Sequence, residues 1–152
     1  MAANVFLAQV LITRQQARTM LDAAFVTARE RDMAPLTAVV LDGGGHPIVV
    51  EREDGCSPLR SAVATGKAYA ALGIGVSSGT TGERNAERPA FLAAVADAAQ
   101  GRFVPVAGGV LILDKDQRII GAMGVSGASS QEDQNAAVAG IEAAGFVAGL
   151  SP

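Results

Sequence analysis

Two strand–turn–strand signatures, one in each half of the chain, constrain the fold more than any other feature. Residues 36–41 and 47–51 are runs of strand-favouring side chains separated by Asp42-Gly43-Gly44-Gly45-His46. Residues 110–113 and 118–125 flank a second polar turn, Asp114-Lys115-Asp116-Gln117. Glycine enters the positive-φ region that tight reversals need, and a short turn can only join antiparallel neighbours, because parallel strands require a long crossover. The two hairpins therefore predict an antiparallel sheet.

Helical signals surround them. Thr13 and Gln16 have capping-box spacing, and Ala17, Met20, Leu21, Ala24 and Ala28 recur on one face of a helix ending near Arg31-Asp32. Ser57-Pro58 is expected to open a second helix, with Leu59, Val63 and Ala70 facing the core and Gly66 allowing close packing. Residues 73–88, rich in Gly, Ser, Thr and charge, read as a long loop. Residues 89–99 form a short Ala-rich helix that Gly101 terminates. Ser129 and Glu132 repeat the capping-box spacing and lead a last helix to about Val147, with Ala137, Ile141 and Ala144 as its apolar stripe. The order predicts an α+β fold: a single antiparallel β-sheet flanked by helices, in one domain spanning 1–152 without an internal linker.

Composition excludes several functions. With 12 basic against 15 acidic residues the net charge is −3, and aromatic residues make up 4% with no Trp. Neither a polyanion-binding surface nor a base-stacking platform is expected, so the chain reads as binding no nucleic acid. One cysteine, Cys56, precludes an intramolecular disulfide, and one histidine, His46, precludes a multi-histidine metal centre within one chain. The apolar stretch 5–12 has no basic lead-in or small-residue cleavage site and is too short to span a bilayer. A cytoplasmic protein with no membrane partner is expected.

Glycine-rich segments invite nucleotide readings that their spacing refuses. Gly121, Gly124 and Gly127 do not fit G-x-G-x-x-G, and Gly66-Lys67 has Ser61 where a P-loop needs glycine and Ala68 where it needs Ser or Thr. These glycines are read as turns and close contacts. Ser126-Gly127, between a predicted strand and a helix start, would offer free N–H groups to an anion, although Asp133 in the first turn opposes one. Arg52 and Lys67 are candidates to grip an acidic ligand if the second helix packs across the first hairpin, with ordinary salt bridges to Glu51, Glu53 and Asp54 as the alternative. Tyr69, two positions from Lys67, falls on a different helix face and is expected to bury its ring. His46 is either an exposed turn residue or a haem ligand or base. Cys56 is either a small corner residue or a thiolate activated by a helix start, and Met33 and Met123 are expected in the core.

Several segments in linked order resemble one known family. Residues 37–46 are similar to its first hairpin, and Arg52-Glu53-Asp54-Gly55-Cys56 resembles its R-x-D-G-A segment, followed by the Lys67-Ala68-Tyr69 helix. Gly108-Gly109-Val110 and residues 121–127 resemble its G-G-V and G-A-I-G-V-S-G segments, with Asp133 at the expected place. By these the chain is identified with the GlcG/HbpS-like family, which includes haem-binding proteins and the C-terminal domain of PduO-type proteins. Two departures stand out: Cys56 in place of the usual Ala, and Met123 in place of Ile. The resemblance implies an antiparallel sheet flanked by helices in a profilin-like layout, self-association into a homo-oligomer (a dimer or larger), and haem or corrinoid biology.

Two functions of different class follow. As a small-molecule-binding protein of the GlcG/HbpS type, the chain would take haem, a related tetrapyrrole or an acidic ligand. Arg52, Lys67, Tyr69, Ser126 and Gly127 would bind it, with His46, Cys56 or Tyr69 as the axial ligand. As a cofactor-independent lyase, isomerase or hydrolase of an organic acid in a catabolic pathway, it would use Arg52 to orient the carboxylate and Lys67 or Cys56 as base or nucleophile. A third reading is a structural or regulatory oligomer without a small-molecule site.

Overall fold

The computed structural model describes residues 4–152. Five antiparallel strands, β1 (Thr37–Asp42), β2 (Pro47–Arg52), β3 (Gly109–Leu113), β4 (Ile119–Ser126) and β5 (Val147–Gly149), form one sheet in the order β2-β1-β4-β3-β5. The two expected hairpins lie side by side, joined where β1 pairs with β4 over Thr37↔Ser126 to Asp42↔Gly121.

Both faces of the sheet are covered, and strand periodicity divides the core accordingly. Ala38, Val40, Val110, Ile112, Met123 and Val125 point to one side, where α1 (Arg14–Glu30) and α5 (Ser130–Ala143) supply Met20, Leu21, Ala24, Ala137 and Ile141. Val39, Leu41, Leu111 and Ala122 point to the other, against Ala64, Ala68 and Ala71 of α2 (Arg60–Ile74). Met33 joins the first core. Both capping boxes form as expected, at Thr13 and at Ser129.

Four expectations need correction. Ser57-Pro58 does not open the second helix; a turn closed by Arg60 N–H to the Ser57 carbonyl precedes it, and Leu59 stays exposed at its entry. The stretch 73–88 is not one loop, because Ser77 caps a short helix, α3 (Ser78–Arg84), whose buried Ser78 hydroxyl bonds the Val106 carbonyl. The last helix stops at Ala143, with Gly145 at φ +85° turning the chain, and Val147 starts β5 instead. Lys67, expected in a ligand pocket, is fully buried. The helix α4 (Pro89–Ala98) forms as expected, with Gly101 at φ +80° turning the chain just beyond its C-cap Ala99, yet none of its residues is fully buried.

Candidate functional site

The residues singled out in the sequence divide between the two ends of the sheet. At the end where β4 runs into α5, Lys67 reaches from α2 to the opposite layer. Its Nζ donates to Asp133 Oδ2 at 2.9 Å and to the Val125 carbonyl at 3.1 Å, with both side chains at most 2% exposed. Asp133 Oδ1 accepts from the Ala128 amide at 2.9 Å. Burial pushes the Asp133 carboxyl above its ordinary range, against the pull of Lys67 and of the Ala128 and Gly127 amides. The anion held by the Ser126-Gly127 corner is thus the chain's own carboxylate, and the Lys67 ammonium is already matched.

Ser126 is fully buried and its hydroxyl accepts from the Arg60 guanidinium at 3.2 Å. Across the strand pair, Thr37 holds Cys56 through an Oγ1–Sγ contact of 3.3 Å. Cys56 lies four residues ahead of α2 and is buried, so the helix start that would activate its thiol is out of place. Arg52 pairs in register with Thr37 yet is exposed on the edge strand, beside a shallow groove lined by Phe25, Arg29 and Glu53. Arg52 and Lys67 share a sheet end but not a pocket: one faces water, the other the interior.

The opposite end carries a different set. Gly45, at φ +84° in the first turn, lies against the Tyr69 ring, where any Cβ would collide. Arg102 stacks on the same ring, 4.1 Å from its centroid. His46 is 79% exposed, and its Nδ1 faces Asp42 Oδ1 at 3.4 Å. The same Asp42 oxygen accepts from the Gly44 and His46 amides at 2.9 and 3.0 Å. Partial burial pushes the Asp42 carboxyl up, but these amides and the His46 ring outweigh it and hold the group below its ordinary range. A carboxylate on one imidazole nitrogen fixes the ring and directs the other outward, the arrangement that orients metal-ligating histidines.

Beside this turn runs a groove of about 580 Å³, its walls mostly apolar: Val10, Leu11, Ile12, Ile48 and Ile120, with Gly43, Gly44 and Arg14 at its border. The volume is within the range of small-molecule sites. For a haem-type ligand the lining offers an apolar trough and one guanidinium for a carboxylate, with the His46 imidazole on the same turn but outside the lining. Sequence reasoning found His46, Tyr69 and Ser126 but missed their respective partners Asp42, Arg102 and Arg60, and missed Arg14 in the groove. The i, i+4 spacing of Asp42 and His46 across a glycine turn was a usable signal; the Arg contacts depend on tertiary packing and left none. Among the described residues no cluster of three His, Cys, Asp or Glu side chains is placed to hold a bare metal ion, and no helix is long and apolar enough to cross a membrane.

Comparison with known proteins agrees with this architecture. Residues 12–142 match the family described as "Haem degrading protein HbpS-like". Protein GlcG of Escherichia coli strain K12 is 31% identical over 119 residues, which cover 78% of this chain and 83% of GlcG. A PduOC–haem complex superposes with a TM-score of 0.79 at 23% identity, covering 90% of this chain and 97% of that one. A doubly substituted HbpS of Streptomyces reticuli gives 0.75 at 25% identity, over 93% of this chain and 97% of HbpS. A sheet of this order, the two-sided helical cover and a family match across 12–142 make the chain a member of the HbpS-like family.

Proposed function

We propose that the chain is a small-molecule-binding protein of the HbpS type and that its ligand is haem or a related tetrapyrrole, seated in the groove beside the first hairpin turn. The observation that carries this reading is an apolar groove of about 580 Å³ lined in part by Asp42, Gly43 and Gly44 of the hairpin turn that also bears the exposed His46, whose Nδ1 lies 3.4 Å from Asp42 Oδ1. His46 holds the iron through its outward nitrogen, and Arg14 meets a ligand carboxylate. The family description and the haem complex of the similar PduOC structure support the same ligand class. Lys67, Ser126 and Gly127 lie at the other end of the sheet with their polar groups matched within the chain, and take no part in this site. The same pairing leaves the enzyme alternative without a specific observation in its favour: Lys67 is tied to Asp133 and Cys56 is buried against Thr37.

Titration with ferric haem, followed by visible absorption, tests the proposal. A saturable Soret band at fixed stoichiometry is expected. His46→Ala should retain the wild-type melting profile, change the spectrum and weaken binding about tenfold or more, the equivalent of losing roughly 1.4 kcal/mol. Arg14→Ala should weaken binding several-fold with the spectrum unchanged. Absence of saturation, or an identical spectrum for His46→Ala, overturns the reading.

A further inference from the structure

The chain ahead of α1 is anchored at Ile12. Thr13 caps α1, and the buried Ile12 lays its side chain over Gly121 of β4, where a Cβ would meet the Ile12 Cδ1 at 2.6 Å. Upstream runs an apolar arm, residues 5–11 (Val-Phe-Leu-Ala-Gln-Val-Leu), with no ionisable side chain. Among the described residues, no backbone hydrogen bond ties this arm to the rest of the molecule. Residues 8–12 nevertheless form one wall of the groove of about 580 Å³, together with Ile48, Ile120 and the first hairpin turn. Val10 and Leu11 belong to that wall and are still more than half exposed, so the groove is open to water on this side. The two residues just ahead of the wall, Phe6 and Leu7, are 104% and 86% exposed and touch almost nothing of their own chain.

We propose that Phe6 and Leu7 complete the ligand site: when the groove fills, the arm folds over the occupant as a strap and lays these two side chains on its outer face. This rests on the reading of the groove as the site of a flat, largely apolar ligand bearing an acidic group. Three observations support it. The reach is right, because Phe6 lies two residues from Ala8 in the wall, at most about 7 Å of extended chain, so Val10, Leu11 and Ile12 keep their places. Nothing opposes the movement, since no backbone bond to the body has to break and no charge of the arm has to be buried. The chemistry matches as well. A flat apolar ligand in an open groove leaves one face in water, and the groove lining itself contains no aromatic side chain to cover it. Phe6 supplies that ring, and closure takes the exposed surfaces of Phe6, Leu7 and the ligand out of water in one step.

Release kinetics and limited proteolysis of the full chain test this, with two probes: ferric haem and the aromatic anion 8-anilinonaphthalene-1-sulfonate. Chymotrypsin should cut after Phe6 or Leu7 readily in the unliganded chain, and about fivefold or more slowly once either probe fills the groove. The Phe6→Ser, Leu7→Ser double variant alters only solvent-facing side chains outside the groove, so it should keep the wild-type far-UV spectrum and melting profile. It should bind the probe at the wild-type rate and release it about tenfold or more faster. Its haem complex should keep the wild-type Soret position, because His46 is untouched. Wild-type release rates in the double variant, or cleavage that a filled groove does not slow, overturn the proposal while a haem spectrum dependent on His46 leaves the ligand reading standing. Conversely, if haem fails to saturate but the sulfonate binds, slows cleavage and leaves the double variant faster, the strap stands and the haem reading falls. Binding of neither probe overturns both. Slow cleavage before any probe is added means that the arm is already covered by another surface, a second copy or a lipid, and overturns the strap.

Discussion

Lys67 is an ammonium with no access to water, and it is tolerated there because Asp133 and the Val125 carbonyl take its protons. Removing one partner of such a pair strands the other. Lys67→Met is expected to cost about 3–5 kcal/mol in denaturant unfolding, and Lys67→Met combined with Asp133→Asn should cost less than the single change. The pH dependence has a defined sign. A carboxyl raised above its unfolded value contributes stability that is fully present below that value and lost as pH rises through the folded one. Asp133 is already on the raised side, and losing Lys67 moves it further. The Lys67→Met variant should therefore recover part of its deficit on acidification, seen as a narrowing gap to wild type in unfolding midpoints. Asp42 has the opposite sign. Its lowered carboxyl adds stability above its ordinary value of about 3.9, lost as pH falls through the lower folded value. Amide resonances of Gly44 and His46 should hold their positions down to about pH 4 and move together below it; independent movement would dissolve the proposed brace on His46.

At the scale of elements, the two helical layers approach the sheet closely where side chains are smallest. A Cβ at Gly124 would overlap the Ala64 carbonyl of α2 and press on Ala68. Gly124→Ala is expected to cost about 1–3 kcal/mol and lower the melting temperature, because backbone cannot yield as a side-chain tip can. No change in melting would mean that α2 rides farther from β4. The same scale explains what was legible. Capping boxes at Thr13 and Ser129, and both hairpins, were readable because their signals lie within a few residues. The short strand β5 was not, since Val147–Gly149 is strand only because the β3 edge is there to pair with it. The short helix α3 hides in a Gly- and Thr-rich run whose propensity argues against it, and is held by Ser78 bonding the Val106 carbonyl and the Gly109 amide.

For the molecule as a whole, runs of strand-favouring side chains announced β1, β3 and β4, and their near-continuous burial is that of a sheet covered on both faces. Strand order was beyond reach, because β1 meets β4 only after more than sixty intervening residues have folded back. The candidate site was half legible for the same reason. His46 stood out as the single histidine on a glycine turn, whereas the groove beside it is assembled from the arm, β2 and β4. Lys67 and Asp133, 66 residues apart, were each noticed and never paired. Their contact has a consequence for how the chain folds. Lys67 belongs to the layer on one side of the sheet and Asp133 to the layer on the other. A half-assembled state with one layer docked and the other loose would leave a lone charge facing apolar surface. Such states are penalised more heavily than the fully unfolded chain, where both groups are hydrated. The bridge around the sheet end thus couples the two cores into one cooperative unit, so that neither layer is free to peel away while the other stays closed.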